Sequence, residues 1–277
     1  MSGGLLLGTH VRGGSGDSAR REAAAQASLA ALSAAGLADC VDLTFPDEEG
    51  VSGAVPELCA LRLEAARVTG TPGPRKPVVS EMLDVLAGEA ERRRVSRIAL
   101  VNGDIVVTPE AIARVTNPAV PAFAVSRTDT GGGEPDAQLL YGVDLFVFDV
   151  EFWRRERGRF RDYFLGDPVW DNVYASIAVC HGGRLLNRER LILHERHPSQ
   201  WRGSVYGPYL RLLAVRDSSY FSRWCDYVDV AGPLRARGGT ADEELAAQRA
   251  IFRPPGRLED ITDIGRVWWW RLKGAVS

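Results

Sequence analysis

Asn102-Gly103-Asp104 follows the wholly apolar run Ile98-Ala99-Leu100-Val101 and precedes Ile105. Such a run suits a strand buried on both faces of a parallel sheet. A carboxylate at the C-terminal end of that strand stands where open α/β sheets bind ligands. The tripeptide also suits a plain turn, and these residues alone leave site and turn open. A second candidate is Gly14-x-Gly16-x-x-Ala19, with Asp42 in a following apolar segment. It formally matches the glycine fingerprint that lets a backbone approach a dinucleotide's pyrophosphate. Gly14 lies several residues past the first strand, however, and Asp42 lies beyond the usual spacing of about 20 residues. A glycine-rich surface loop explains the stretch equally well. Cys40, Cys59, Cys180 and Cys225 are scattered with no C-x-x-C pair, so they read as reduced core thiols.

The elements that must position these residues alternate through the first half of the chain. Leu5-Leu6-Leu7 reads as a strand, followed by a helix from Asp17 or Ser18 to about Ala35, stopped by Gly36. Val41 to Phe45 reads as a second strand and residues 56–68 as a helix. Ser80 is expected to cap a helix over residues 81–94. Thr108 and Pro109 mark the start of a short helix after the central strand. Residues 121–126 and 145–148 read as strands, with residues 128–136 as a mobile glycine-rich loop between them. Asp171-Asn172 opens a helix to about His181, and residues 184–186 and 191–193 are short strands. The spacing predicts a helix over residues 204–227, a linker over 232–239, and a helix over 242–252. A closing segment over 261–272 carries Trp268-Trp269-Trp270. Consecutive tryptophans point in different directions on a helix and so form no flat platform; packing or an oligomer contact suits them better. Strands alternating with helices argue for an α/β sheet with parallel strands.

Bulk properties exclude some partners. A net charge of −2 over 277 residues gives no electrostatic case for nucleic acid or an anionic membrane. An apolar content of 45% and a charged content of 25% are ordinary globular values. No apolar run approaches the roughly 20 residues of a membrane span. The expectation is a soluble, cytoplasmic protein, with a homo-oligomer left open.

Six short segments, taken in order, carry a resemblance. They are Thr9-His10-Val11-Arg12, Arg75-Lys76-Pro77, Asn102-Gly103-Asp104-Ile105, Gly142-Val143-Asp144-Leu145-Phe146, Gly166 to Asn172 with its Trp170-Asp171, and His194-Glu195-Arg196-His197. The set resembles GT-A glycosyltransferases, the nucleotide-diphospho-sugar transferase fold, over roughly Leu5 to Trp201. The resemblance implies a mainly parallel, mixed sheet flanked by helices over residues 1–230. Residues 231–277 would be a helical extension. It implies Asp104 as the main ligand of Mn²⁺ or Mg²⁺, which would neutralise charge on a leaving nucleoside diphosphate. The usual D-x-D turn has Asn102 in its first position here, and an amide brings no charge.

A late histidine would complete the metal shell. Residues three apart on a strand point to opposite faces, so one of the pair is expected there, and His194, which ends the apolar run, is the choice. By the same resemblance Asp171 would be the general base for an acceptor hydroxyl, its bland alternative being a helix N-cap. Trp170 would stack on a sugar, or be core. Asp144 would meet sugar hydroxyls, or be a turn residue. Thr9 and Arg12 would meet the nucleotide base and ribose, and Lys76 or Arg75 the diphosphate. The function implied is sugar transfer from a UDP- or GDP-linked donor to a hydroxyl acceptor, with inversion favoured by the available base. The rivals are a non-catalytic binding protein with a decayed site, an NAD(P)-dependent oxidoreductase using the glycine loop, and a nucleotidyltransferase.

Overall fold

Unbroken apolar runs that bury both faces of a strand require cover on both sides of it, and the chain builds that cover from helices. The computed structural model describes residues 2–10, 16–45, 59–62, 76–133, 136–166, 168–197 and 217–256. In chain order these form β1 (Ser2–Thr9), α1 (Asp17–Ala34), β2 (Asp39–Thr44), β3 (Cys59–Arg62), α2 (Val79–Arg93), β4 (Val95–Val101), β5 (Ile105–Val107) and α3 (Pro109–Val115). Then follow β6 (Ala122–Thr130), β7 (Ala137–Asp149), α4 (Val150–Glu156), α5 (Trp170–Cys180), β8 (Arg184–Leu186), β9 (Ile192–Glu195), α6 (Ser218–Ala236) and α7 (Ala241–Ile251). The sheet runs β3-β2-β1-β4-β7-β6-β9-β5, with β8 also paired to β6.

Pairings of β1 with β2 and β4, β2 with β3, and β6 with β8 and β9 are parallel. Those of β7 with β4 and β6, and of β5 with β9, are antiparallel. The result is the mixed, mainly parallel α/β sheet flanked by helices that the resemblance implies; the alternating pattern pointed to its parallel part. On one face, Leu6, Ile98, Leu100, Phe146 and Phe148 pack against α2, α4, α5 and α6. On the other, Leu5, Leu7, Ala99, Val101, Leu145 and Val147 pack against α1 and α3. Each large apolar side chain so buried stabilises by roughly 1.5–3 kcal/mol, which makes the central strands a rigid base for what stands at their ends.

Local signals hold at several boundaries. Gly36 takes φ 66° just past α1, the left-handed turn that a side chain opposes. The Thr108 hydroxyl accepts from the Ala111 backbone N–H at 3.1 Å, with Pro109 opening α3. Other expectations give way to tertiary pairing. Residues 59–62 are a strand beside β2, with Val41 opposite Cys59, where a helix was expected; an open sheet edge outweighs helical propensity there. Helix α2 starts at Val79, before Ser80, and the Ser80 hydroxyl donates to Asp162 Oδ1 at 2.7 Å rather than capping.

Strand β6 runs on to Thr130 and pairs back with β7, Thr128 opposite Gln138, so much of the expected mobile loop is hairpin. Helix α6 continues through Gly232 and Pro233 to Ala236, where a linker was expected. Trp268-Trp269-Trp270 lie outside the described residues. Among the described residues, no helix is long and apolar enough to cross a membrane.

Candidate active site

The chain leaves β4 at Val101 and turns at once, the Ile105 backbone N–H donating to the Asn102 carbonyl at 3.2 Å. The turn delivers Asp104 next to β5. Strand β5 pairs with β9, Ile105 lying opposite His194, and β9 pairs on its other side with β6, Asp129 lying opposite His194. Asp104 therefore meets His194 across the strand ends. His194 Nε2 and His197 Nε2 each lie 3.6 Å from Asp104 Oδ2 and 3.1 Å from one another. The expectation that one histidine faces the site is corrected. Strand β9 ends at Glu195, so the two-residue alternation stops before His197, and both imidazoles turn to the same carboxylate.

One carboxylate oxygen and two imidazole nitrogens in this triangle leave a point about 2 Å from all three, the length of a transition-metal bond to such ligands. Imidazole suits Zn²⁺, Fe²⁺ and their neighbours best and ligates Mn²⁺ acceptably, whereas Mg²⁺ prefers an all-oxygen octahedron. The donors fit Mn²⁺ better than Mg²⁺. Burial pushes the Asp104 carboxyl up, but its His194 hydrogen bond and the two imidazole charges outweigh this and hold it below the ordinary range.

Asn102 is explained by its neighbour. Its side-chain amide donates to Asp144 Oδ1, and its backbone N–H donates to the Asp144 carbonyl at 3.2 Å. A second aspartate in its place would set two carboxylates against each other. Asp144, 4% exposed, also accepts from Arg127 Nη1 at 2.9 Å. Burial raises its carboxyl, against the Arg127 charge, and the Asp104 charge raises it further.

Asp171 stands in the first turn of α5, not at its N-cap, which is Val169. Val169 takes φ 68°, a left-handed conformation that a β-branched residue enters only under strain, and such strain gathers at functional sites. Burial, and then the Asp144 charge, push the Asp171 carboxyl up to about 7, against backbone hydrogen bonds from Asn172 and Val143. Asp144 thus couples electrostatically to Asp104 on one side and to Asp171 on the other.

The remaining expected residues divide. Thr9 ends β1 beside the turn, 1% exposed, and its hydroxyl has no hydrogen-bond partner among the described residues. Lys76 precedes α2, whose N-terminus lies at the same edge of the sheet because α2 runs back to start β4; its Nζ reaches the Gly166 carbonyl at 3.5 Å. Trp170 is core: 2% exposed, its ring lies 5.2 Å from Phe146 and 5.6 Å from Tyr174, and no ring face is open to a sugar. Arg12, Arg75 and Gly14 lie outside the described residues.

Two residues that sequence reasoning missed complete the cluster. Arg127 Nε donates to Asp129 Oδ1 at 2.9 Å, and His194 Nδ1 lies 2.9 Å from the same oxygen. Their spacing of two along one strand was the available signal, hidden by ending that strand at Ser126.

Gly103 has a steric reason. A Cβ there would stand 2.6 Å from the His10 carbonyl oxygen. Gly103→Ala is expected to cost about 1–3 kcal/mol by overpacking and to displace Asp104. Urea denaturation and Mn²⁺ titration of the variant would read both effects; wild-type values in each would show that the turn has slack.

No family model matches the chain, and no curated protein does. Among solved structures it is similar to a provisionally assigned nucleotide-diphospho-sugar transferase from Desulfovibrio desulfuricans G20. The TM-score is 0.48 at 13% identity, covering 83% of this chain and 96% of that one. It is also similar to a 4-diphosphocytidyl-2C-methyl-D-erythritol synthase, with TM-score 0.40, 15% identity, and 76% and 98% of the two chains covered. A third is CMP:2-keto-3-deoxy-manno-octonic acid synthetase complexed with CTP, with TM-score 0.39, 11% identity, and 76% and 98% covered. All three TM-scores lie below 0.5, so no role is carried across from them.

Proposed function

We propose that the chain is a metal-dependent glycosyltransferase that moves a sugar from a nucleoside-diphosphate sugar to a hydroxyl acceptor. The observation that carries this reading is the meeting of Asp104, His194 and His197 at the end of β4, with Asp171 held near neutral pKa on the same edge. Asp104, His194 and His197 would hold the cation, with Mn²⁺ favoured. When bound, a cation there supplies positive charge against the diphosphate as it leaves.

The chain's own residues supply the rest. Asp171 accepts the proton of the acceptor hydroxyl, and a carboxyl near 7 suits that task at neutral pH. The acceptor oxygen then bonds to the anomeric carbon as the bond from that carbon to the diphosphate oxygen breaks. The nucleoside diphosphate departs with the electron pair, and displacement from the opposite side inverts the centre. Asp144, engaged with Asn102 and Arg127, holds the turn that carries Asp104. Thr9, at the end of β1, would meet the nucleotide base or ribose, and Lys76 the diphosphate.

Calorimetric titration of UDP and GDP, with and without Mn²⁺, tests the reading. Mn²⁺-dependent binding of either is expected, followed by nucleoside diphosphate release from the matching sugar donor. Pyrophosphate release from a nucleoside triphosphate and a sugar phosphate would make the protein a nucleotidyltransferase instead. Binding without any turnover would favour a decayed site, and binding of NAD(P) alone an oxidoreductase.

A further inference from the structure

A neutral imidazole carries one N–H and one bare nitrogen, and which is which depends on the partner each ring nitrogen meets. His194 Nδ1 lies 2.9 Å from Asp129 Oδ1. An ionised carboxylate only accepts, so the hydrogen of a neutral His194 belongs on Nδ1. Arg127 Nε donates to the same oxygen at 2.9 Å, which marks that oxygen as an acceptor. The contact is set by the backbone: β6 and β9 pair in parallel with Asp129 beside His194, and the Thr130 hydroxyl donates to the His194 carbonyl at 3.3 Å. Strand β5 frames His194 from the other side.

We infer that Asp129, backed by Arg127, is a positioning residue that fixes His194 as its Nδ1–H tautomer and turns a bare Nε2 toward Asp104 and His197. This rests on the reading that these three residues take a cation. Arg127 reaches further. Its Nη1 donates to Asp144, which accepts from Asn102 in the turn bearing Asp104. One guanidinium therefore ties the group that orients the histidine to the group that holds the aspartate. Loss of such an outer partner typically weakens metal binding 10–100-fold.

The test uses wild type, Asp129→Asn and Asp129→Ala. Long-range ¹H–¹⁵N correlation of the imidazoles, on metal-free protein, reads the tautomer. Co²⁺ titration followed by visible absorption, and Mn²⁺ calorimetry, read affinity; thermal melting controls for folding. In wild type the hydrogen of His194 is expected on Nδ1. In the two variants Co²⁺ affinity is expected to fall about 10–100-fold with the melting temperature nearly kept. Asn, whose amide can present either donor or acceptor, is expected to retain more than Ala. Wild-type Co²⁺ affinity in both variants, or an Nε2–H tautomer in wild type, overturns the inference. If the variants do not fold, the wild-type tautomer still decides it. If wild type binds neither Co²⁺ nor Mn²⁺, the cation reading of the site fails, while the tautomer spectrum separately upholds or overturns the role of Asp129.

Discussion

Asp171→Asn is expected to lower sugar transfer about 10²–10⁴-fold, the range for removing a general base, while making the protein more stable at pH 8. The two effects share a cause. Burial, with the Asp144 charge beside it, raises the Asp171 carboxyl to about 7, whereas an unfolded chain leaves it near 3.9. The native state therefore favours the neutral acid. The stability this contributes is fully present below about pH 4 and is lost as pH rises through about 7, to a total of roughly 2–4 kcal/mol. Asparagine is neutral at every pH and keeps an oxygen for the Asn172 and Val143 N–H groups, so the variant escapes that loss.

Activity runs the other way. A base must be ionised, so wild-type kcat/KM is expected to rise with pH through about 7 and then level, and the residual activity of the variant should lack that rise. Thermal melting at pH 5 and pH 8 and a pH–rate profile are the measurements. A variant with near wild-type turnover would remove Asp171 from the chemistry. One equally destabilised at both pH values would make it a packing residue.

Asp104→Ala should abolish Mn²⁺-dependent nucleotide binding and lower transfer about 10²–10³-fold, the scale for losing one group that stabilises developing charge. Two imidazole nitrogens remain, and neither brings negative charge to the cation. Any binding that does not depend on Mn²⁺, through Thr9 or Lys76, should survive, so nucleotide titrations with and without Mn²⁺ separate the two contributions. Melting should change little, because Asp104 is partly exposed in a turn. Unchanged Mn²⁺ dependence in the variant would place the diphosphate away from this turn.

Much of the frame was legible in the residues themselves. Ile98 to Val101, Leu5 to Leu7 and Leu145 to Phe148 read as buried strands because unbroken apolar runs need cover on both faces. Thr108-Pro109 and Gly36 mark helix ends because caps and left-handed turns depend on neighbours within a few positions. Asp104 was legible as a carboxylate at a strand end. The failures that bear on the site are mostly of one kind. Residues 59–62 form a strand because β2 offers an edge. Trp170 is core because Phe146 and Tyr174 arrive from β7 and from the next turn of α5. His197 joins His194 because β9 ends between them, and Arg127 and Asp129 enter the site because β6 continues along β9. Local pattern determines which residues can form a strand, a cap or a turn. Only the pairing of distant strands decides which side chains share a site, because the hydrogen bonds and charges that bind them act through space, not along the chain.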